Sequence, residues 1–449
     1  MTAPDEAPIT DPERAMTDLV PGYRDFLARK AVRPVLAGPQ VSPSDVHPFL
    51  HDWQRQVVAW AVRTGRAAIW ADTGLGKTVM QLEWARLSGA RVLIVAPLAV
   101  CHQTVREGAK VGLSPRYLRE DDGQPGIVIT NYEITGHFDA ATFDAVVLDE
   151  SSVIKDVTTK TRDRLIAQFR DVPRRLDCSA TPAPNDLAEL ANHAEFLGAA
   201  TRREMLSSYF THDQDGWRVK GHARGPMFRW MASWALAIRR PSDLGYPDGG
   251  YQLPPLDIRA DLLPVDVVPE GQLFATDLGG VGGRARIRRA TMDARCARAS
   301  ELITAEPGEP WIAWCGLNAE ADTIARSVPG AVNVEGSWSP EAKAEAFLGF
   351  ADGSVRVLVT KPSIAAFGLN WQHCARMAFV GLSDSYESYY QAIRRCWRYG
   401  QGRPVTVHII LSELESAIAA NVRRKESSAG RLTDALIAEM RAAETWSAA

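Results

Sequence analysis

Cysteine is scarce, with six in 449 residues, at positions 101, 178, 296, 315, 374 and 396. None stands close enough to another for a zinc-ligand pair or a Cys-x-x-Cys redox centre. Free thiols in a reducing compartment are therefore expected. Long apolar runs are missing as well. No stretch approaches the roughly 20 residues that cross a bilayer, and no charged start leads into an apolar segment as in a secretory leader. These absences predict a cytosolic protein with no membrane partner. One-sided charge is also lacking. The formal net charge is -3, so a polyanion would need a local basic patch.

With 46% hydrophobic and 23% charged residues, the composition is that of a globular protein. Its length suits roughly two to four domains. Residues 1–48 form an N-terminal extension that starts acidic and proline-rich. Asp11-Pro12-Glu13 looks like a helix N-cap followed by proline at the first helical position, and a second short helix is expected over Tyr23 to Lys30. From Ala67 onward, the runs "AAIWAD", "RVLIVAP", "GIVITNY", "AVVLDE" and "RRLDCSAT" alternate with helical stretches. Continuous apolar strands separated by helices imply a parallel sheet covered on both faces. This first domain is placed at 49–199.

Residues 200–255 break the rhythm. Met227, Met231, Trp234 and Ile238 fall at helical spacing, which predicts a helical insertion ending in the linker "LPPL". The alternation resumes in "PWIAWCG", "AVNVEG", "RVLVTKP", "RMAFVG" and "VTVHII", giving a second parallel sheet over 256–425. A C-terminal helix is expected at 426–449. The fold class is α/β, with two parallel-sheet domains joined through a helical insertion and a cleft between them where a ligand could sit.

The stretch "IWADTGLGKTVM" (69–80) lies where a strand passes into a helix. Ligands of open parallel sheets bind at the carboxyl ends of strands. Gly74 and Gly76 let backbone N–H groups converge on phosphate oxygens, and the helix N-terminus adds positive potential. Lys77 would then reach the β and γ phosphates of a nucleotide, and Thr78 would place its hydroxyl on Mg²⁺. An ordinary turn would leave Lys77-Thr78 unexplained. Asp149-Glu150 follows another apolar strand. An acid pair there suits a Mg²⁺-holding Asp149 and a water-orienting Glu150, although alone it would read as a polar strand end.

Taken together, these segments resemble superfamily 2 helicases. "ADTGLGKT" has the family's Ala-x-Thr-Gly-x-Gly-Lys-Thr form, "DESS" stands at the DEAD/DEAH-box position, and "SATP" (179–182) resembles the Ser-Ala-Thr motif. "QAIRRCWRYGQ" (391–401) is similar to the final motif of the Swi/Snf-type branch. "LHDWQRQVVAWAVRTGRAAIWADTGLGKT", "DESSVIK", "SATPAPNDLAEL", "RPSDLGY" and "TKPSIAAFGLNWQ" look like the compact Swi/Snf-like helicases of bacteriophages and prophages, and "YRDFLARK" also fits that group. Ala366 departs from the pattern, since glycine is expected there.

The resemblance implies two RecA-like domains binding ATP and Mg²⁺ between them. Gln54 would read adenine, since a side-chain amide donates and accepts in one plane. Thr73, Gly74, Gly76, Lys77, Thr78 and Gly368 would hold the nucleotide, with Thr78 and Asp149 on the metal. Ser179 and Thr181 would couple the two domains or the two sites. Gln391, Arg395 and Arg398 would meet the γ-phosphate from the second domain, the two arginines on one helical face by their three-residue spacing.

Gln103, Thr104, Thr130, Asn131, Lys361 and Asn370 match motifs that line the polynucleotide groove. The segment "GGRARIRRATMDARCAR" (282–298) has six arginines against one aspartate. Arg286, Arg288 and Arg289 there would track phosphates, with a solvated helix as the alternative. Trp230 and Trp234 could stack on bases, but core packing is the stronger expectation. The implied partners are DNA, duplex by the Swi/Snf resemblance, and phage or host replication or recombination proteins in a bacterial or phage-infected cytosol. Two alternatives stay open. One is a P-loop ATPase or kinase acting on a small molecule, and the other is a non-catalytic nucleic-acid clamp.

Overall fold

The computed structural model describes residues 38–214, 216–264, 287–365, 370–382 and 385–442. The two helices expected before residue 31 lie outside these residues.

The apolar runs of the first half become β1 (Arg66–Ala71), β2 (Arg91–Ala96), β4 (Gly126–Asn131), β5 (Ala145–Asp149) and β6 (Arg174–Cys178), with a two-residue β3 (Arg116–Tyr117) at one edge. Within β2 and β5 nearly every residue is buried, because helices cover both faces and leave no side for polar alternation. The order is β3-β4-β2-β5-β6-β1-β9, and every pairing is parallel.

The seventh strand comes from the segment read as a helical insertion. That segment does carry helices, at Arg202–Tyr209 and Arg224–Met231, but also an antiparallel hairpin of β7 (Phe210–Asp213) and β8 (Gly216–Val219). Met227 and Met231 are helical as expected, whereas Trp234 and Ile238 are not. The chain leaves the helix and Ala235–Ile238 forms β9, in register with β1 from Ala68↔Ala235 to Ala71↔Ile238. A short buried apolar run does not distinguish strand from helix by spacing, and here the open edge of β1 decides. The pairing extends past the strand, because Asp72 N–H donates to the Ile238 carbonyl at 2.8 Å and ties the end of β1 to β9. Trp234 is buried edge-on against Trp70 and Trp230, so it belongs to the core.

The second sheet contains β10 (Leu256–Leu263), β11 (Trp311–Cys315), β12 (Ala331–Val334), β13 (Val357–Thr360), β14 (Arg376–Val380) and β15 (Val405–Ser412), in the order β10-β15-β14-β11-β13-β12 and again all parallel. Leu256, the last residue of the expected linker, already pairs with Val405.

Three helices of the first domain and two of the second matter below: α1 (Asp52–Thr64), α2 (Lys77–Ser88), α3 (Leu98–Gly108), α4 (Tyr386–Ile393) and α5 (Ser416–Ala442). Helix α5 begins earlier than expected and belongs to both domains. Ala419 and Val422 pack in the core of the second sheet, while Leu432 and Leu436 pack in that of the first. Its 27 residues span about 40 Å at 1.5 Å per residue. All six cysteines are buried and unpaired, and among the described residues no helix is long and apolar enough to cross a membrane.

Candidate functional site

The glycine loop joins β1 to α2. Gly74 and Gly76 hold φ of +85° and +77°, a region that L side chains rarely adopt. Space for a side chain is tight as well. A Cβ on Gly76 would stand 2.5 Å from Gln54 Nε2, and one on Gly74 would stand 3.3 Å from the Tyr399 backbone nitrogen. The loop is therefore shaped by α1 on one side and by the second domain on the other. Lys77 opens α2, and its ammonium donates to the Ala71 carbonyl at 2.7 Å. The Thr73 hydroxyl is buried with no hydrogen-bond partner, as is expected of a group that waits for a ligand.

Gln54 is buried and bridges two backbone groups. Its Nε2 donates to the Leu75 carbonyl at 2.9 Å and its Oε1 accepts from His51 N–H at 2.9 Å. The amide expected to read adenine thus also props the glycine loop.

Asp149 ends β5 and Glu150 begins the turn after it. Glu150 has φ of +53°, the one positive value at a non-glycine among the described residues, and strain of this kind gathers at functional sites. Burial raises the Asp149 carboxyl above its ordinary range, while the Gln81 amide and the Lys77 ammonium draw it back. Burial raises Glu150 too; Lys77 and Arg395 oppose the shift, and neighbouring Asp149 adds to it. The pair lies in low dielectric facing cations, an arrangement that tunes a carboxylate as a proton acceptor.

The second domain reaches this site through α4 and the turn that follows. The helix ends at Ile393, so Arg395 and Arg398 lie in the turn rather than on one helical face. A backbone bond from Trp371 N–H to the Arg395 carbonyl, 2.9 Å, holds that turn on its own domain. Both arginines nevertheless line the cleft, and burial pulls both guanidinium groups down to about 10, leaving them cationic at neutral pH. Thr73, Gly74, Gly76, Lys77, Thr78, Asp149, Glu150, Gln391, Arg395 and Arg398 surround one cleft of about 260 Å³, with Gln103 and Asn370 also on its wall.

The other expected residues lie elsewhere. Thr104 and Thr130 are buried, with their hydroxyls on the Val100 and Leu118 carbonyls, and the Asn131 amide is held by Tyr117 and Glu133. Lys361 is half-buried beyond β13. Ser179 and Thr181 are buried, and the Ser179 hydroxyl accepts from Thr181 N–H at 3.0 Å. Arg288 is turned inward, sharing buried Glu320 with Arg295, whereas Arg289 is exposed. Gly368 and Arg286 lie outside the described residues.

Several participants carry no motif signal of their own. Asp72 forms an ion pair with Arg394 and accepts from the Tyr390 hydroxyl across the cleft. Glu387 meets Ser152 and Lys155 in the same way. Behind the acid pair, Asp177 accepts from Ser151 Oγ at 2.6 Å and Trp70 Nε1 at 3.1 Å, and it faces His193 Nδ1 at 2.5 Å. His193 Nε2 faces the Pro182 carbonyl at 2.8 Å. Both ring nitrogens thus meet acceptors. Burial pulls against the charged ring, but Asp177 and Pro182 outweigh it and raise the imidazole above its ordinary range. The network ties the acid loop to the "SATP" segment.

Comparison with known proteins agrees with this architecture. Residues 295–400, which include Gln391, Arg395 and Arg398, match the family described as Helicase conserved C-terminal domain. A Xenopus tropicalis protein named SWI/SNF-related matrix-associated actin-dependent regulator of chromatin subfamily A-like protein 1 is 29% identical over 167 residues, covering 33% of this chain and 17% of that protein. The chain therefore spans about a sixth of the length of this curated relative. Among solved structures, a fragment described as an HsdR subunit of a type I restriction enzyme from Vibrio vulnificus YJ016 superposes with a TM-score of 0.53 at 15% identity, over 83% of this chain and 66% of that one. The Sulfolobus solfataricus SWI2/SNF2 ATPase core in complex with dsDNA overlaps at a TM-score of 0.43 and 18% identity, over 88% of this chain and 98% of that one. The chain consists of two parallel-sheet α/β domains, and the second carries the match to the helicase C-terminal domain.

Proposed function

We propose that this chain is an ATP-driven DNA translocase that couples hydrolysis of Mg-ATP to movement along DNA. The observation that carries the reading is the composite cleft, in which Lys77, Asp149 and Glu150 of one sheet face Gln391, Arg395 and Arg398 of the other. In this reading the loop N–H groups and the Lys77 ammonium take the β and γ phosphates of ATP. Glu150 orients the attacking water and accepts its proton, a task suited to a carboxylate whose proton affinity burial has raised. Arg395 and Arg398 offset charge that develops on the transferring phosphoryl group.

The residues present fit a magnesium ion. Asp149 is buried at the strand end and Thr78, in the first turn of α2, lines the same cleft, and magnesium commonly takes one or two protein ligands and completes its shell with phosphate oxygens and water. Thr78 and Asp149 would hold the ion, which supplies further charge neutralisation at the phosphates.

Closure of the two domains on ATP and reopening after hydrolysis would shift one DNA grip relative to the other. Gln103 and Asn370 on the cleft wall and exposed Arg289 are the groups we place on the phosphate backbone. The motif resemblance favours duplex DNA and a role beside replication or recombination proteins in a bacterial or phage-infected cytosol. Hydrolysis measured with no polymer, duplex DNA, single-stranded DNA, forked DNA and RNA tests the reading. Strong stimulation by duplex DNA is expected. Equal turnover in every condition would point instead to a P-loop ATPase acting on a small molecule.

A further inference from the structure

We propose that Asp72, Tyr390 and Arg394 form a latch across the cleft that holds the arginine turn against the glycine loop. Arg394 is then a positioning residue for the hydrolysis proposed above, on which this part of the inference rests. Every polar group of Asp72 is engaged. Its N–H is fixed to β9, its carbonyl lies 3.4 Å from the Lys77 ammonium, and its Oδ1 accepts from Thr73 N–H at 2.7 Å. The same carboxylate receives the Tyr390 hydroxyl and the Arg394 guanidinium from the second domain. Asp72 thus bonds the second domain to the backbone that leads into the glycine loop.

Arg394 reaches both sides with one rigid fork. One nitrogen meets Asp72, and Nη1 donates to the Trp397 carbonyl inside the arginine turn at 3.2 Å. Its plane lies 4.8 Å from the Trp397 ring centre and 5.6 Å from that of Tyr390. The side chain is only 2% exposed, against 16% for Asp72. Removing either partner would leave a buried charge uncompensated, and the first domain offers Arg394 no other carboxylate among the described residues. Glu387 and Tyr390 lie three residues apart on one face of α4, and Arg394 follows directly as the residue that caps its C-terminal end. Glu387 on that face meets Ser152 and Lys155 of the acid loop. Helix α4 is therefore seated on the glycine loop and the acid loop at once, and the turn that follows it aims Arg395 and Arg398 between them.

The test uses the full chain with fluorophores on cysteines introduced at exposed Glu120 and Glu345, one in each domain; the six native cysteines are buried. Without nucleotide, Arg394→Met is expected to lower energy transfer between the domains. Its turnover should fall about 10- to 100-fold, the cost of misplacing a catalytic group by an ångström or so. Affinity for a fluorescent ATP analogue should change by no more than about threefold, because the lost contact acts on turnover. Asp72→Asn should behave alike, and the double variant should lose no more than either single one, as coupled partners do. Arg394→Lys should not restore turnover, and Tyr390→Phe should give the same changes at smaller size, which keeps the test open if the larger substitutions unfold the chain. Unchanged energy transfer in Arg394→Met or Tyr390→Phe, or losses that multiply in the double variant, would overturn the latch. If the wild type hydrolyses no ATP under any condition, the functional reading fails while the transfer measurement still decides the latch.

Discussion

The two sides of the cleft are held in different ways. On the first-domain side each group has an anchor within its own domain: Gln54 props the glycine loop, β9 pins Asp72, and Asp149 ends a buried central strand. On the second-domain side, Arg395 and Arg398 sit in a turn beyond the end of α4, and α4 is bonded to the opposite domain at Asp72, Ser152 and Lys155. Nucleotide binding should therefore be a property of one domain and turnover a property of two.

The largest expected effect breaks the first-domain side. Lys77→Ala removes the cation at the head of α2, so hydrolysis should collapse to background and nucleotide affinity should fall with it, with the melting temperature nearly unchanged. Steady-state turnover, nucleotide titration and a melting curve on one preparation check this. Glu150→Gln keeps the shape and removes the proton acceptor. ATP should still bind while hydrolysis falls by roughly 10²- to 10⁴-fold. In the wild type, kcat/KM should drop on acidification at a pH above the ordinary glutamate value of 4.5, because burial raises this carboxyl. An acid limb at or below that value would remove Glu150 from the role.

A smaller effect concerns stability and stays within the first domain. His193 has its folded-state pKa raised above the ordinary 6.5. Its contribution is therefore complete below that value and is lost as pH rises through the higher folded one. His193→Gln should destabilise by roughly 3 kcal/mol on the acid side, the scale of a broken buried pair, and the gap to wild type should shrink toward alkaline pH. Denaturant titrations at several pH values report it, and a gap that widens with pH would contradict the charged-ring assignment.

The smallest effect separates two neighbouring arginines. Arg289→Gln should make the salt dependence of DNA binding shallower by up to about 0.9 in slope, one duplex phosphate contact. Arg288→Gln should lower stability with the slope unchanged, since Arg288 is committed to Glu320.

Much of this was legible in the chain itself. Both parallel sheets followed from apolar runs too continuous to have a wet face, and the first-domain half of the site followed from glycines and a lysine at a strand end. Strand β9 escaped because four apolar residues carry no period that separates strand from helix, and what decides them is the free edge of a strand more than 160 residues earlier. The arginine turn was placed on a helix because spacing reports faces, not helix ends. Arg394 and Asp72 escaped for a different reason. An ion pair between residues 72 and 394 has no local signature, and Arg394 next to Arg395 reads as part of a solvated charge run. Burial of Thr104 and Thr130 likewise depends on what α3 and β4 pack against, which their own neighbours in sequence do not show.

If turnover belongs to both domains while binding belongs to one, Arg398→Ala should separate the two. Affinity for a fluorescent ATP analogue, affinity for duplex DNA, DNA-stimulated turnover and a melting curve are measured on the same protein. Both affinities should stay within a few-fold of wild type with an unchanged melting curve, and turnover should fall by about 10³-fold, the scale of an arginine acting on transition-state charge. Turnover within a few-fold of wild type in a folded, ATP-binding Arg398→Ala protein would contradict this division.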